Sequence, residues 1–251
     1  ASAHVPTTGE VTLLLMGLSA AAFQAGSIGL LYVALEPFVR RLWPDALISW
    51  MRLVNGRFRD PLVASHILVG VSTGLAFTAL RAVTFWATNV VPGPGVIVSA
   101  LSGARDLTST VLIDFWLCAF LSIRYILALV MLRSLVHRAW VADAIYVVLF
   151  SALLSSIMSA GDGVSYQAVG PWILWFGGVT WVLRRFGLLA VLAAVYASYL
   201  TVSLPLPVAS WYAGLSLAVP MLIAAVAAWS LYAVLTSRPG RASRSAAEPL
   251  V

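Results

Sequence analysis

The chain has 251 residues, 61% of them hydrophobic and 10% charged, with 15 basic residues against 9 acidic ones. A soluble domain runs near half apolar and about a quarter charged, so this chain could not cover a water-facing surface and reads as a membrane protein. Every basic residue is Arg, placed in short clusters between apolar runs and not on one basic face, which argues against nucleic acid as a partner.

Crossing about 30 Å of hydrocarbon takes about 20 apolar residues. Seven runs meet or approach that length: residues 11–35, 62–90, 107–132, 140–160, 168–183, 187–203 and 211–235. The expected fold is all-α, a polytopic transmembrane helix bundle of about seven spans forming one domain over residues 1–236. The residues before Val11 include Glu10 and no Arg, the wrong start for a secretory signal. No removable leader is therefore expected, and the bundle is read as the whole chain.

In chain order, the first span carries the small pair Ala22 and Gly26 and ends near Glu36. The connection after it has helical spacing of Leu47, Ile48, Met51, Val54 and Phe58 from a Pro44 start. It predicts an amphipathic helix over residues 44–59 on the cytoplasmic membrane surface, with Trp43 and Trp50 near the headgroups and Arg52, Arg57 and Arg59 on other faces. A solvated linker is the alternative. The second span opens near His66, holds Gly70 and Gly74 at the spacing that lets helices approach closely, and contains Arg81. That spacing serves packing within the chain as readily as dimerisation. Pro92-Gly93-Pro94-Gly95 ends it.

The third span holds Asp114, the lone Cys118 and Arg124; Asp143 lies near the start of the fourth, which ends at Gly161-Asp162-Gly163. Trp172, Trp175 and Trp181 crowd the short fifth span. The sixth ends at Pro205-Leu206-Pro207, Trp211 opens the seventh, and residues 237–251 form a polar tail expected to be disordered. Most of the Trp residues fit aromatic belts at the interface; the sharper reading is a surface that docks a partner, lipid or pigment.

Arg clusters test the span count. The segment before the first span has none, the first connection has Arg40, Arg41, Arg52, Arg57 and Arg59, and the second only Arg105. The third has Arg133 and Arg138, the fourth none, the fifth Arg184 and Arg185, the sixth none, and the tail Arg238, Arg241 and Arg244. The alternation supports seven spans and predicts an outer N-terminus and a cytoplasmic C-terminus.

Charges inside spans are costly and need partners. Depth counting places Arg81 and Asp114 at one level and predicts that they pair. Asp143 and Glu36 are the candidate partners of Arg124. The functional reading is a polar relay or switch across the bundle. The structural reading, favoured because no carboxylate sits near mid-membrane, is pairs that fix helix register or Arg side chains reaching to headgroups. His66 is a weak candidate ligand for a metal or pigment, lacking a second ligand one helical turn away; His4 and His137 fall in loops. The sequence requires no cofactor and no metal, although bound lipid or pigment is compatible with it.

The elements Ala3-His4-Val5-Pro6, Leu35-Glu36-Pro37 with Arg40-Arg41, Trp43-Pro44, Ile48-Ser49-Trp50 and Gly56-Arg57-Phe58-Arg59-Asp60-Pro61-Leu62 resemble the membrane region that follows the catalytic domain of some bacterial serine/threonine protein kinases. The resemblance covers about residues 3–70. It implies a cytoplasmic kinase domain upstream, joined by a crossing helix that brings the chain outside before His4. The chain itself has no Lys, no His-Arg-Asp and no Asp-Phe-Gly, so it cannot transfer phosphate as a kinase does. Zinc-protease, Ser-hydrolase and intramembrane prenyl-protease motifs are absent too, so no catalytic residue is expected. Two main readings follow. One is a non-enzymatic anchoring or sensing domain of a signalling protein. The other is an accessory structural subunit of a photosynthetic or respiratory complex, packed against other membrane subunits. Transport of a small solute along Arg81, Asp114 and Arg124 ranks third.

Overall fold

The computed structural model describes residues 9–88, 103–136, 138–158, 169–203 and 213–236. His4, His137, Trp211, the three Pro- or Gly-marked span ends and the tail lie outside them. Eight α-helices are formed among the described residues: α1 (Gly9–Leu42), α2 (Ile48–Val54), α3 (Pro61–Thr88), α4 (Ala104–Leu135), α5 (Ala139–Met158), α6 (Val169–Phe186), α7 (Leu188–Ser203) and α8 (Ala213–Thr236). All the regular structure is helical, because a buried apolar backbone can satisfy its N–H and C=O groups within each segment only in this way. Seven of the helices fall on the seven apolar runs.

Five helices, α1, α3, α4, α5 and α8, are long and apolar enough to cross a membrane. The other two are short. α6 has 18 residues and α7 has 16, about 27 and 24 Å at 1.5 Å per residue. The large apolar side chains left exposed, such as Leu112 on α4, Leu149 on α5 and Met221 on α8, point out of the bundle on several sides. A surface of this kind is stable against lipid and not against water. The chain is a helical membrane protein in contact with the bilayer.

The core is built around α7. It packs against α3, α4, α6 and α8, and Leu188, Ala190, Val191, Ala194, Val195, Ala197 and Leu200 on it are at most 3% exposed. A helix wrapped by protein does not have to match the hydrocarbon thickness, which accommodates its short length. Across α3, α4, α5 and α6 runs an aromatic core: Phe77 stacks on Trp175 at 4.3 Å, Tyr125 meets Phe176 edge-on at 5.6 Å, and Tyr146 lies 4.6 Å from Phe150. Trp175 is thus a core residue, where an interfacial belt accounted for most Trp in the sequence.

Two element boundaries differ from expectation. α1 continues through Pro37 to Leu42, beyond the expected end at residue 35. The surface helix predicted over residues 44–59 is divided into a 3-10 turn (Pro44–Leu47) and the seven-residue α2. It stops because Asn55 caps it and Gly56 takes a left-handed φ of 76°, the backbone state that ends helices and favours glycine. Asp60 then starts α3: its Oδ1 accepts from the Leu62 amide at 2.9 Å, with Pro61 at the first helical position.

Gly187 is the single residue between α6 and α7, at φ 82°. A Cβ there would overlap the Ala46 backbone. Gly187→Ala is expected to destabilise the protein by more than the roughly 1–2 kcal/mol of left-handed backbone strain. Gly56→Ala, at a similar φ with nothing within 4 Å of a new Cβ, should show the backbone cost alone. Thermal unfolding of both variants in detergent checks the difference.

Candidate functional site

The ion pairs among the described residues gather at one end of the bundle. There the last turns of α1, α4 and α6 meet the first turn of α5. Arg133 and Asp143 face each other across the α4–α5 connection, where Val136 N–H donates to Leu132 O at 2.9 Å at the end of α4 and Ala142 N–H to Arg138 O at 3.1 Å at the start of α5. Arg133 donates from Nη2 to both Asp143 oxygens, at 2.7 and 2.9 Å, and from Nε to Oδ1 at 3.1 Å. Arg184 of α6 donates from Nη1 to Asp143 Oδ2 at 2.8 Å. The Arg133 guanidinium also lies over the Trp43 ring, 4.0 Å from its centroid. One carboxylate therefore joins α4, α5 and α6, and a cation–π contact adds the segment after α1.

The Arg133 side chain is 10% exposed and the Arg184 side chain 51%. The cluster thus has a buried member and a surface member on the same acceptor. At this end too, Arg52 Nη1 donates to Asp60 Oδ2 at 2.8 Å, and Tyr32 donates to Met51 Sδ at 3.1 Å. Arg40 pairs with Glu36 one turn earlier on α1, at 2.6 Å. We call this the arginine end. Its composition matches the alternation of Arg clusters along the chain, since the contacts gather connections one, three and five.

Both predicted intramembrane pairings are corrected. No ion pair joins Arg81 to Asp114 among the described residues. Arg81 lies over Phe77 and Trp172, 6.0 and 5.6 Å from the ring centroids. Asp114 is 3% exposed, with Oδ2 lacking a hydrogen-bond partner. The reason is topological: α3 and α4 each pack on α7 and make little contact with one another, so equal depth does not bring their side chains together. Arg124 reaches neither Asp143 nor Glu36. It is exposed, 5.6 Å from the Phe120 centroid, and sits nine residues before Arg133, about 14 Å along α4. Glu36 is held by Arg40, and Asp143 by Arg133 and Arg184.

His66 is half-buried and packs edge-on against Phe186 at 5.6 Å, with Nδ1 lacking a hydrogen-bond partner. Among the described residues no group of three or more His, Cys, Asp or Glu side chains is placed to hold a metal. Trp43 and Trp50 are half-buried and pack on the main core, while Arg57 and Arg59 are exposed beside Asp60. Gly70 and Gly74 face α7 directly, whereas a Cβ at Gly26, whose predicted pair is Ala22, would meet nothing within 4 Å. The first glycine pair therefore serves packing within the chain.

Beside the cluster, a groove of about 650 Å³ opens between α5 and α6, lined by Asp143, Val147, Val148, Gly177, Trp181, Arg184 and Arg185 among others. In the sequence Arg133, Arg184 and Arg185 stand between apolar runs, as loop charges do, which reveals neither cluster nor groove. The available signal was that Arg133 and Asp143 flank one short turn at similar distances. The chain matches no protein-family model, no curated protein and no solved structure.

Proposed function

We propose that this chain is a non-enzymatic membrane module, the anchoring or sensing domain of a bacterial signalling protein of the serine/threonine kinase type. In this reading it sits in the inner membrane with the N-terminus outside and the arginine end facing the cytoplasm, crossing seven times with α6 and α7 as its short spans. α2 and the loop to Asp60 lie at the membrane surface, with Ile48, Val54 and Phe58 exposed to it.

The observation that supports this reading best is how α1 is held. Near its arginine end, Val39 is fully buried, Tyr32 bonds Met51, and Trp43 beyond it lies under Arg133. Further back, Val11, Leu14, Met16, Leu18 and Phe23 are each more than 60% exposed. A helix fixed at one end and open along the rest can receive another helix, and the kinase-type arrangement supplies one in the crossing helix that precedes His4. The second reading, an accessory structural subunit, draws on the same open face together with Trp140, 67% exposed on α5. There the face would be covered by a larger subunit.

Peptide mapping and intact mass of the native membrane preparation separate the two. The kinase-type reading expects peptides of a catalytic domain on the same polypeptide. A chain without them, travelling in fixed ratio with an unrelated complex, overturns it and establishes the subunit reading.

A further inference from the structure

We infer that the groove between α5 and α6 at the arginine end binds an acidic phospholipid, with the phosphate at Arg184 and Arg185 and an acyl chain running along Val148, Gly177 and Trp181. This does not depend on which reading of the whole chain holds.

The order of chemistry along the groove carries the inference. At its mouth, two guanidiniums stand against the single carboxylate of Asp143. That carboxylate already accepts three hydrogen bonds from the buried Arg133. Arg184 spends only Nη1 on it and is half exposed, so most of its five donors are available. Arg185 is exposed beside it. The mouth therefore carries uncompensated positive charge suited to a phosphate oxygen.

Below the mouth the wall turns apolar. Val148 is 62% and Trp181 60% exposed, and Gly177 leaves open space where a side chain would stand. Thr180, also in the wall, turns its hydroxyl inward to Phe176 O at 2.7 Å. A free anion would use only the mouth. A phospholipid uses both, and basic pockets between membrane helices take anionic headgroups in this geometry.

The test uses the purified full chain, delipidated and reloaded with phosphatidylglycerol or phosphatidylcholine, with retained lipid counted by native mass spectrometry. Phosphatidylglycerol should be retained preferentially. Arg185→Gln should weaken that retention about fivefold, the effect of one basic residue near an anionic surface. Gly177→Leu starts its side chain in open space within the groove and should lower retention of phosphatidylglycerol at an unchanged melting temperature. Equal retention of the two lipids by the native chain overturns the proposal. So does a Gly177→Leu variant that holds phosphatidylglycerol as well as the native chain, since the mouth would then be binding an anion alone. Competition by millimolar inorganic phosphate that strips the lipid completely has the same meaning.

Discussion

Asp143→Ala is expected to cost about 3–5 kcal/mol of stability, the usual result of stranding a buried charge. The stranded group is Arg133, whose side chain is 10% exposed and which directs three hydrogen bonds to the carboxylate. The Trp43 ring on its other face, at 4.0 Å, offers partial compensation. Arg184→Ala removes a partner of the same carboxylate and should cost under about 1 kcal/mol, because an exposed guanidinium is solvated with or without its pair. A double variant Asp143→Ala with Arg133→Met should recover much of the loss, since it leaves no buried charge unpaired and only the solvated Arg184 loses a partner. Denaturant titration of the purified variants in micelles reads all three. Equal, small effects from Asp143→Ala and Arg184→Ala would mean that the cluster is a solvated surface pair and holds nothing together.

How much of this was legible in the sequence divides along one physical line. The helices were: the run 140–160 is α5 at Ala139–Met158, and the run 187–203 is α7 at Leu188–Ser203. Uninterrupted apolar stretches in a chain this poor in charge leave the backbone few alternatives. Which helices touch was not. Helices apolar on every side show little sequence difference between the face toward lipid and the face toward protein, so the pairing of Arg81 with Asp114 rested on depth and chain order alone. Consecutive helices are often neighbours, but here α7, late in the chain, takes the place beside both α3 and α4. The arginine end illustrates the same division. Arg alternation along the chain groups connections one, three and five, yet nothing local shows that α4 and α6 extend past Arg133 and Arg184 to Leu135 and Phe186.

One contact between α3 and α7 did leave a signal in both partners, and it yields the second large effect. Gly70 and Gly74 lie one turn apart on α3, and Ala190, Ala193, Ala194 and Ala197 lie at matching spacing on α7. The helices meet so closely that a Cβ at Gly70 would overlap the Ala190 carbonyl oxygen and the Ala193 methyl. One at Gly74 would overlap the Ala194 carbonyl and touch Ala197 Cβ at 3.0 Å. The obstacle is backbone, which cannot rotate away as a side-chain end can. Just beyond, Thr78 and Thr201 share a hydrogen bond of 2.7 Å between their hydroxyls, which holds the two helices in register. Gly70→Ala should therefore destabilise by about 1–3 kcal/mol from overpacking, despite alanine's better helix propensity, and Gly70→Leu should leave little folded protein. Gly26→Ala on α1, where a new methyl meets nothing, should be neutral or stabilise slightly by that same propensity. The comparison is internal, because the two alanine substitutions add the same methyl to a glycine in a long apolar helix. Size-exclusion profiles and melting curves of the three variants decide it: a Gly70→Ala protein as stable as Gly26→Ala would mean that α3 and α7 do not approach this closely.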